Sequence, residues 1–254
     1  MNQPLALECQ GLWKKYAMRL TLGMRYAMAD ISRELLGIKP QQSRLRPGEF
    51  WALQDVTLHI AQGQCVGLTG GNGSGKSTLL KLLAGILVPD GGWIRRRGRL
   101  ASLVEVSAGF HPMLTGRENC FVQGAVLGVP RRVLRAVLDD VVAFAELEPW
   151  IDMPIKHYST GMTVRLGIAL ALQAAPDILL LDEVLAVADP GFRRKSLAAI
   201  AESQRRHGMA CLIVTHHADE LLGMADAMVH MQGGLLATAA PAGVAGTDGK
   251  TPWS

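Results

Sequence analysis

Cysteine, aromatic residues and long apolar runs are all scarce in this chain, and each shortage closes off a class of protein. The four cysteines, Cys9, Cys65, Cys120 and Cys211, are scattered through 254 residues, none in a CxxC spacing or a His/Cys cluster. That excludes a disulfide scaffold and a zinc ribbon, and predicts buried, reduced thiols. Aromatics make up only 5% of the chain against 28 glycines, a balance that favours phosphate-loop or doubly wound architectures over an all-β sandwich. No apolar run reaches the roughly 18 residues needed to cross a bilayer; the nearest, 166–175, is cut short by Gln173, Pro176 and Asp177. The first ten residues show no basic stretch followed by an apolar core, so no secretory signal is expected. A formal net charge of +4 is too small an excess to argue for nucleic acid.

What remains is enough for one sizeable α/β domain, because about half the residues are hydrophobic and a chain of this length can bury a real core. Residues 5–16 read as a short strand and turn. A basic stretch, 18–47, follows, in which Met24, Met28, Ile31 and Leu35 recur at helical spacing with Arg25, Arg33 and Glu34 between them. Gly37 and Pro40 are its stop signals. Residues 51–60 alternate like a half-buried strand. The run 64–69 is a compact apolar strand that enters a glycine-rich turn and a helix, 76–84. Residues 91–100 are expected to form a hairpin around the solvated basic turn Arg95–Arg99. Residues 115–150 and 159–174 read as helical, 178–181 and 210–214 as strands covered on both faces, and 192–207 as a helix. The tail 237–254 is rich in Ala, Gly, Thr and Pro and is expected to be loosely ordered. There are no internal repeats.

Two motifs carry phosphate chemistry. Gly70, Gly71, Asn72, Gly73, Ser74, Gly75, Lys76 and Ser77, followed by Thr78, fit GxxxxGK[ST] between an apolar strand and a helix. The glycines let backbone N–H groups turn inward on phosphate oxygens, and the helix start adds partial positive charge. Lys76 is expected to reach the β- and γ-phosphates of ATP and Ser77 to ligate Mg²⁺. The apolar run 178–181 ends in Asp182 and Glu183. Asp182 is the second expected Mg²⁺ ligand, and Glu183 the general base on the attacking water.

Three further stretches narrow the choice among nucleotide hydrolases. Tyr158-Ser159-Thr160-Gly161-Met162 opens a helix shortly before the acidic strand, Asp189 closes Ala186-Val187-Ala188-Asp189, and His216 follows a buried strand. Their order and spacing resemble the ABC ATPase domain over roughly residues 5–236: its signature, its D-loop and its switch histidine. The resemblance implies a P-loop NTPase fold, with a RecA-like core, an antiparallel β subdomain and a helical subdomain near 106–171. The domain is then 1–236. It also implies a head-to-tail homodimer in which Ser159 and Gly161 contact the γ-phosphate held by the other subunit, with His216 steadying the attacking water. Taken alone, Ser159 reads equally as a helix cap and His216 as a structural residue.

The departures from the common ABC pattern point further. Tyr158, Thr160 and Met162 stand where Leu, Gly and Gln are usual, Glu105 lies at or beside the position of the family's Q-loop glutamine, and 18–47 is an insertion. Phe50-Trp51-Ala52-Leu53, the phrase Gly109-Phe110-His111-Pro112 with Leu114-Thr115-Gly116-Arg117-Glu118-Asn119, and the altered signature resemble the ATPases of O-antigen, capsule and teichoic acid exporters. That implies integral-membrane partner subunits, a lipid-linked glycan as cargo and a peripheral position on the cytoplasmic face of the cell membrane. Within this resemblance Glu105 either ligates Mg²⁺ or only shapes the coupling loop. The insertion either lies at the membrane face, with Arg25, Arg33, Lys39, Arg44 and Arg46 meeting headgroups or a pyrophosphate, or covers its own domain. Tyr16 is the expected adenine-stacking residue, with Phe50 or Trp51 as its substitutes. The rivals are an ABC ATPase for another substrate (an importer or drug exporter), a soluble ABC ATPase acting on ribosomes or DNA, and a P-loop kinase. The GFHP and YSTGM phrases, the missing paired cassettes and the signature with His216 count against them in turn.

Overall fold

The computed structural model describes residues 4–35, 44–104, 109–215, 218–221 and 223–241. Glu105 and His216, and the expected stop signals at Gly37 and Pro40, lie outside the described residues, as does 242–254.

Two sheets share one core. The smaller is antiparallel, in the order β2-β1-β4, from β1 (Leu5–Ala17), β2 (Glu49–Ala61) and β4 (Gly91–Arg96). The larger has six strands in the order β5-β6-β7-β3-β8-β9: β5 (Leu100–Ser102), β6 (Ile178–Leu181), β7 (Ala210–Val214), β3 (Cys65–Gly70), β8 (Ala227–Gln232) and β9 (Leu235–Pro241). Its neighbours are parallel except β8 and β9. All four residues of β6 and all five of β7 are buried, which is why they are written as unbroken apolar runs.

The helices are α1 (Leu20–Leu35), α2 (Lys76–Ala84), α3 (Gly116–Val126), α4 (Arg131–Ala145), α5 (Thr160–Gln173) and α6 (Pro190–His207). Helix α2 brings Leu79, Leu80, Leu82 and Leu83 into the space between the two sheets, against Leu12, Leu53 and Leu68. The other face of the large sheet is covered by Ile168 of α5 and by Phe192 and Ile200 of α6. Helix α5 is shared, since Leu166, Ala169 and Leu170 pack with Leu134, Leu138 and Val141 of α4 in a separate helical core. Burial on both sides explains why α5 is apolar all round, whereas α4 is strongly two-faced.

Three expectations change. Residues 91–100 are not a hairpin: β4 pairs with β1 and β5 with β6, so the chain passes from one sheet to the other. The crossing is fixed from a distance. Asp177 accepts the Arg99 N–H at 2.6 Å, and a Cβ on Gly98 (φ +101°) would lie 2.5 Å from the same carboxylate. Arg95, Arg96, Arg97 and Arg99 are all exposed, as expected, while Arg99 also donates to the Ala175 carbonyl at 2.7 Å and Arg95 stacks on the Trp93 ring. The first strand is longer than a strand and turn, running 13 residues. Residues 237–241 are not loosely ordered but form the greater part of β9, which pairs with β8.

The four cysteines are free and buried. Burial pushes the Cys9 thiol up to about 11 and the Cys120 thiol up to about 12.

Candidate active site

The end of β3 delivers the chain into the glycine-rich turn, and α2 begins at Lys76 with Gly75 as its N-cap and no side chain capping it. The first N–H groups of α2 therefore remain available to an anion. Gly75 has φ +111°, and a Cβ there would lie 2.6 Å from the Ala52 carbonyl oxygen, so glycine is required both for the backbone turn and for the close approach of β2. Gly71 and Gly73, by contrast, face open space.

Lys76 is buried, with its ammonium donating to the carbonyls of Gly70 (2.8 Å) and Gly71 (3.1 Å). It lies 3.5 Å from Glu183 Oε1. The turn thus holds a cation below a rim of N–H donors, next to the second acid of the strand-end pair. Ser74 Oγ is buried without a hydrogen-bond partner, a polar atom that a bound phosphate would satisfy. Asp182 caps the short 3-10 turn Glu183–Val187 by accepting the Glu183 N–H at 3.1 Å. Among the described residues no three of His, Cys, Asp and Glu cluster to hold a metal. Ser77 and Thr78 of the loop and the strand-end acids Asp182 and Glu183 all carry hard oxygen donors, the ligand type that Mg²⁺ takes beside water and phosphate.

The phosphate loop and Glu183 open on one cleft of about 420 Å³, lined by Asn72–Thr78, Glu183, Tyr16, Phe50, Trp51, Ala52 and Gly233; Asp182 does not line it. Tyr16 and Phe50 are register partners across β1 and β2, their rings 6.1 Å apart. The expected adenine aromatic, Tyr16, and its substitute Phe50 therefore stand on the same wall, whereas the Trp51 ring packs edge-on against Trp13, 5.0 Å away. His216 lies outside the described residues, but Thr215 before it donates its N–H to Leu68 of β3 at 3.2 Å. The chain thus leaves β7 beside the strand that feeds the phosphate loop.

Gly233 and Gly234 were not flagged by the sequence. Both have positive φ (+56° and +79°), the geometry of a two-residue hairpin turn between β8 and β9. Gly234 donates its N–H to the Ser74 carbonyl at 2.9 Å and accepts the Gln54 N–H at 2.8 Å. The turn thereby buttresses the phosphate loop from below. A Gly-Gly pair between two apolar strands was the available signal.

Ser159, Gly161 and Asp189 do not line this cleft. Ser159 N-caps α5, its hydroxyl accepting the Met162 N–H at 3.2 Å. Asp189 N-caps α6 through the Phe192 N–H and pairs with Arg165. That pair and the Phe192 N–H, the larger influence, hold the Asp189 carboxyl below the usual range.

The insertion forms α1. Its inner side is tied down: Tyr26 donates to the Pro47 carbonyl at 3.0 Å, Arg46 stacks on the Tyr26 ring, and Asp30 pairs with Arg46. The apolar stripe lies on the opposite side, with Leu20 82%, Met24 60%, Met28 68% and Ile31 58% exposed. The helix does not use that stripe to cover its own domain. Of the expected headgroup cations, Arg25 and Arg44 are exposed and Arg46 is engaged with Asp30; the Arg33 side chain and Lys39 lie outside the described residues.

The ABC transporter family model matches residues 53–186, more than half of the chain. An O-antigen export system ATP-binding protein from Myxococcus xanthus is 44% identical over 183 residues, covering 72% of this chain and 42% of that protein. One of the same description from Klebsiella pneumoniae is 39% identical over 188 residues, covering 74% of this chain and 76% of that protein. The chain thus spans less than half the length of the first. A dimeric ATP-binding cassette solved in a post-hydrolysis state with ADP and Pi superposes with a TM-score of 0.73 at 19% identity, covering 92% of this chain and 98% of that one. With its fold, its phosphate loop and these matches, the chain belongs to the ABC transporter family.

Proposed function

We propose that the chain is an ATP-hydrolysing subunit of an ABC transporter whose cargo is a lipid-linked polysaccharide. The observation that carries the reading is a division of parts. The phosphate loop, Lys76 and Glu183 share one cleft, while Ser159, Gly161 and Asp189 lie outside it. A site of that kind is completed by a second copy placed head to tail. Lys76 offsets charge on the β- and γ-phosphates, and Glu183 takes the proton of the attacking water. Ser77 and Asp182 would hold Mg²⁺, which neutralises phosphate charge when bound. Tyr16, paired with Phe50, offers a ring for the adenine. By the family resemblance, His216 would steady the attacking water at the γ-phosphate, and Glu105 would either ligate Mg²⁺ or shape the loop that couples the site to a membrane partner.

The cargo rests on the two O-antigen export relatives, which share 44% and 39% of aligned residues with this chain, and on the phrases GFHPMLTGREN and YSTGM. No described helix is long and apolar enough to cross a membrane, so movement of cargo falls to integral-membrane subunits. They would press on residues 110–115, beside an apolar cleft of about 300 Å³ lined by Ile86, Phe110, Leu127 and Leu170. The chain then sits peripherally on the cytoplasmic face of the cell membrane, with α1 toward the bilayer.

The test is Glu183→Gln. This variant keeps the side-chain shape and loses the base, so ATP binding and ATP-driven dimerisation persist while phosphate release falls by about 100-fold or more. Near-normal turnover overturns the assignment.

A further inference from the structure

The turn that opens the helical subdomain and the segment that leads into the signature are one hydrogen-bonded piece. Asn119 organises the turn. It is fully buried, and its carboxamide accepts the His111 N–H (2.7 Å) and donates to the carbonyls of His111 (3.0 Å), Leu114 (3.0 Å) and Thr115 (2.9 Å). Thr115 and Glu118 add a reciprocal capping box at the start of α3. From this turn, backbone bonds run across to residues 151–156: Lys156 N–H to Pro112, Ile155 to Leu114, Gly116 to Met153 and Arg117 to Ile151, all within 2.9–3.2 Å. Arg117 grips Asp152 with two bonds, at 2.7 and 3.1 Å.

Tyr158 closes this clasp at its signature end. Its hydroxyl donates to the Trp150 carbonyl at 2.8 Å. It sits so close over Gly116 that a Cβ there would lie 2.3 Å from the hydroxyl oxygen. The next residue is Ser159, the cap of α5. Burial pushes the phenol up to about 12, so the hydroxyl stays a donor across the working pH range. The clasp is therefore continuous from His111 to the residue before Ser159, and Tyr158 stands where the common ABC signature has leucine, which cannot make this bond.

We propose that Tyr158 is a positioning residue that ties the 110–115 turn to Ser159, so that the position of the turn sets the position of the signature against the other subunit's ATP. This rests on the ATPase reading above. A membrane partner pressing on the turn would act on the shared ATP site through this clasp, without touching the phosphate loop.

The test is ATP-driven dimerisation of purified protein in a Glu183→Gln background, followed by sedimentation, beside fluorescent-nucleotide binding at concentrations where the chain is monomeric. Tyr158→Phe keeps the ring and removes one hydrogen bond, so dimerisation weakens about fivefold while monomer nucleotide affinity is unchanged. Gly116→Ala, which drives a methyl into the hydroxyl, weakens dimerisation further. Combining the two removes the clashing oxygen, leaving the new Cβ 3.0–3.1 Å from Ile151, and returns dimerisation part of the way toward the Tyr158→Phe level, the non-additivity of residues in contact; thermal melts of each variant separate this from a general loss of stability, since Tyr158→Phe weakens dimerisation at temperatures where it stays fully folded. Unaltered dimerisation in Tyr158→Phe, or losses that simply add, overturns the proposal. Should Gly116→Ala fail to fold, Tyr158→Phe decides alone. If the Glu183→Gln parent itself does not dimerise with ATP, the ATPase reading falls and this inference with it.

Discussion

Arg165 of α5 forms an ion pair with Asp189, the N-cap of α6, and its guanidinium also reaches Glu146 Oε2 at 2.8 Å. Lys195 of α6 meets the other oxygen of Glu146 at 2.9 Å. Four charges thus join the end of α4, helix α5 and the start of α6, tying the helix that Ser159 caps to the one that Asp189 caps.

The pair makes the Arg165→Ala variant sensitive to pH and salt in a defined direction. The Asp189 carboxyl is held low by the Phe192 N–H first and by Arg165 second, and Glu146 is held low chiefly by Lys195. A depressed carboxyl contributes stability above its unfolded pKa, about 3.9 for Asp, and loses it as pH falls through the folded value. The melting-temperature gap between wild type and Arg165→Ala is therefore expected to be constant from pH 7 to 5 and to close in more acid solution. Because these groups are partly exposed, the gap also shrinks as NaCl rises. In a carboxyl NMR titration the Asp189 value rises only partway, since the Phe192 bond survives. A full return to the ordinary range would mean that Arg165 alone sets it.

Gly234→Ala tests the buttress under the phosphate loop. The residue has φ +79°, and a Cβ would lie 2.8 Å from the Ala52 carbonyl oxygen, so alanine meets both backbone strain and a clash. The expected cost is about 1–3 kcal/mol, read in thermal melts. ATP affinity should fall as well, because the turn carries the bond to the Ser74 carbonyl. Gly71→Ala is the contrast: its Cβ meets nothing within 4 Å, so stability is kept. Equal melting temperatures for Gly234→Ala and wild type would remove the buttress role.

These residues also mark where the sequence is and is not legible. The phosphate loop is readable because backbone N–H groups can ring a phosphate only with glycines at fixed offsets, and β6 and β7 because burial on both faces demands unbroken apolar runs. Gly234 is not readable in the same way, since its importance depends on Ala52 in a distant strand. The crossing at Gly98 fails for the same reason: Asp177, which fixes it, lies far along the chain, and a basic stretch between two strands looks locally like a turn. Periodicity located the α1 stripe but could not say which way it points, because that is decided by Tyr26 and Asp30 on the other side. The division between the cleft and the signature was implied by family resemblance rather than by residue spacing, and only the fold separates the two surfaces.

The direction of that stripe gives the last prediction. Leu20, Met24, Met28 and Ile31 are more than half exposed, and Arg25 flanks them. Under the proposed function, this apolar stripe beside a cation, on a helix clamped to its domain on the other side, would lie in a bilayer interface. Replacing Met24 and Met28 with Asp removes apolar surface worth roughly 1.5–3 kcal/mol per fully buried side chain, and places negative charge against anionic lipid. Sedimentation with phosphatidylethanolamine–phosphatidylglycerol vesicles should show at least a tenfold loss of binding in this double variant, and Arg25→Glu a smaller loss that disappears at high salt. Melting temperature and ATP hydrolysis in solution stay as in wild type, because neither methionine packs on the domain. Vesicle binding that survives the double substitution would show that the stripe faces something other than lipid.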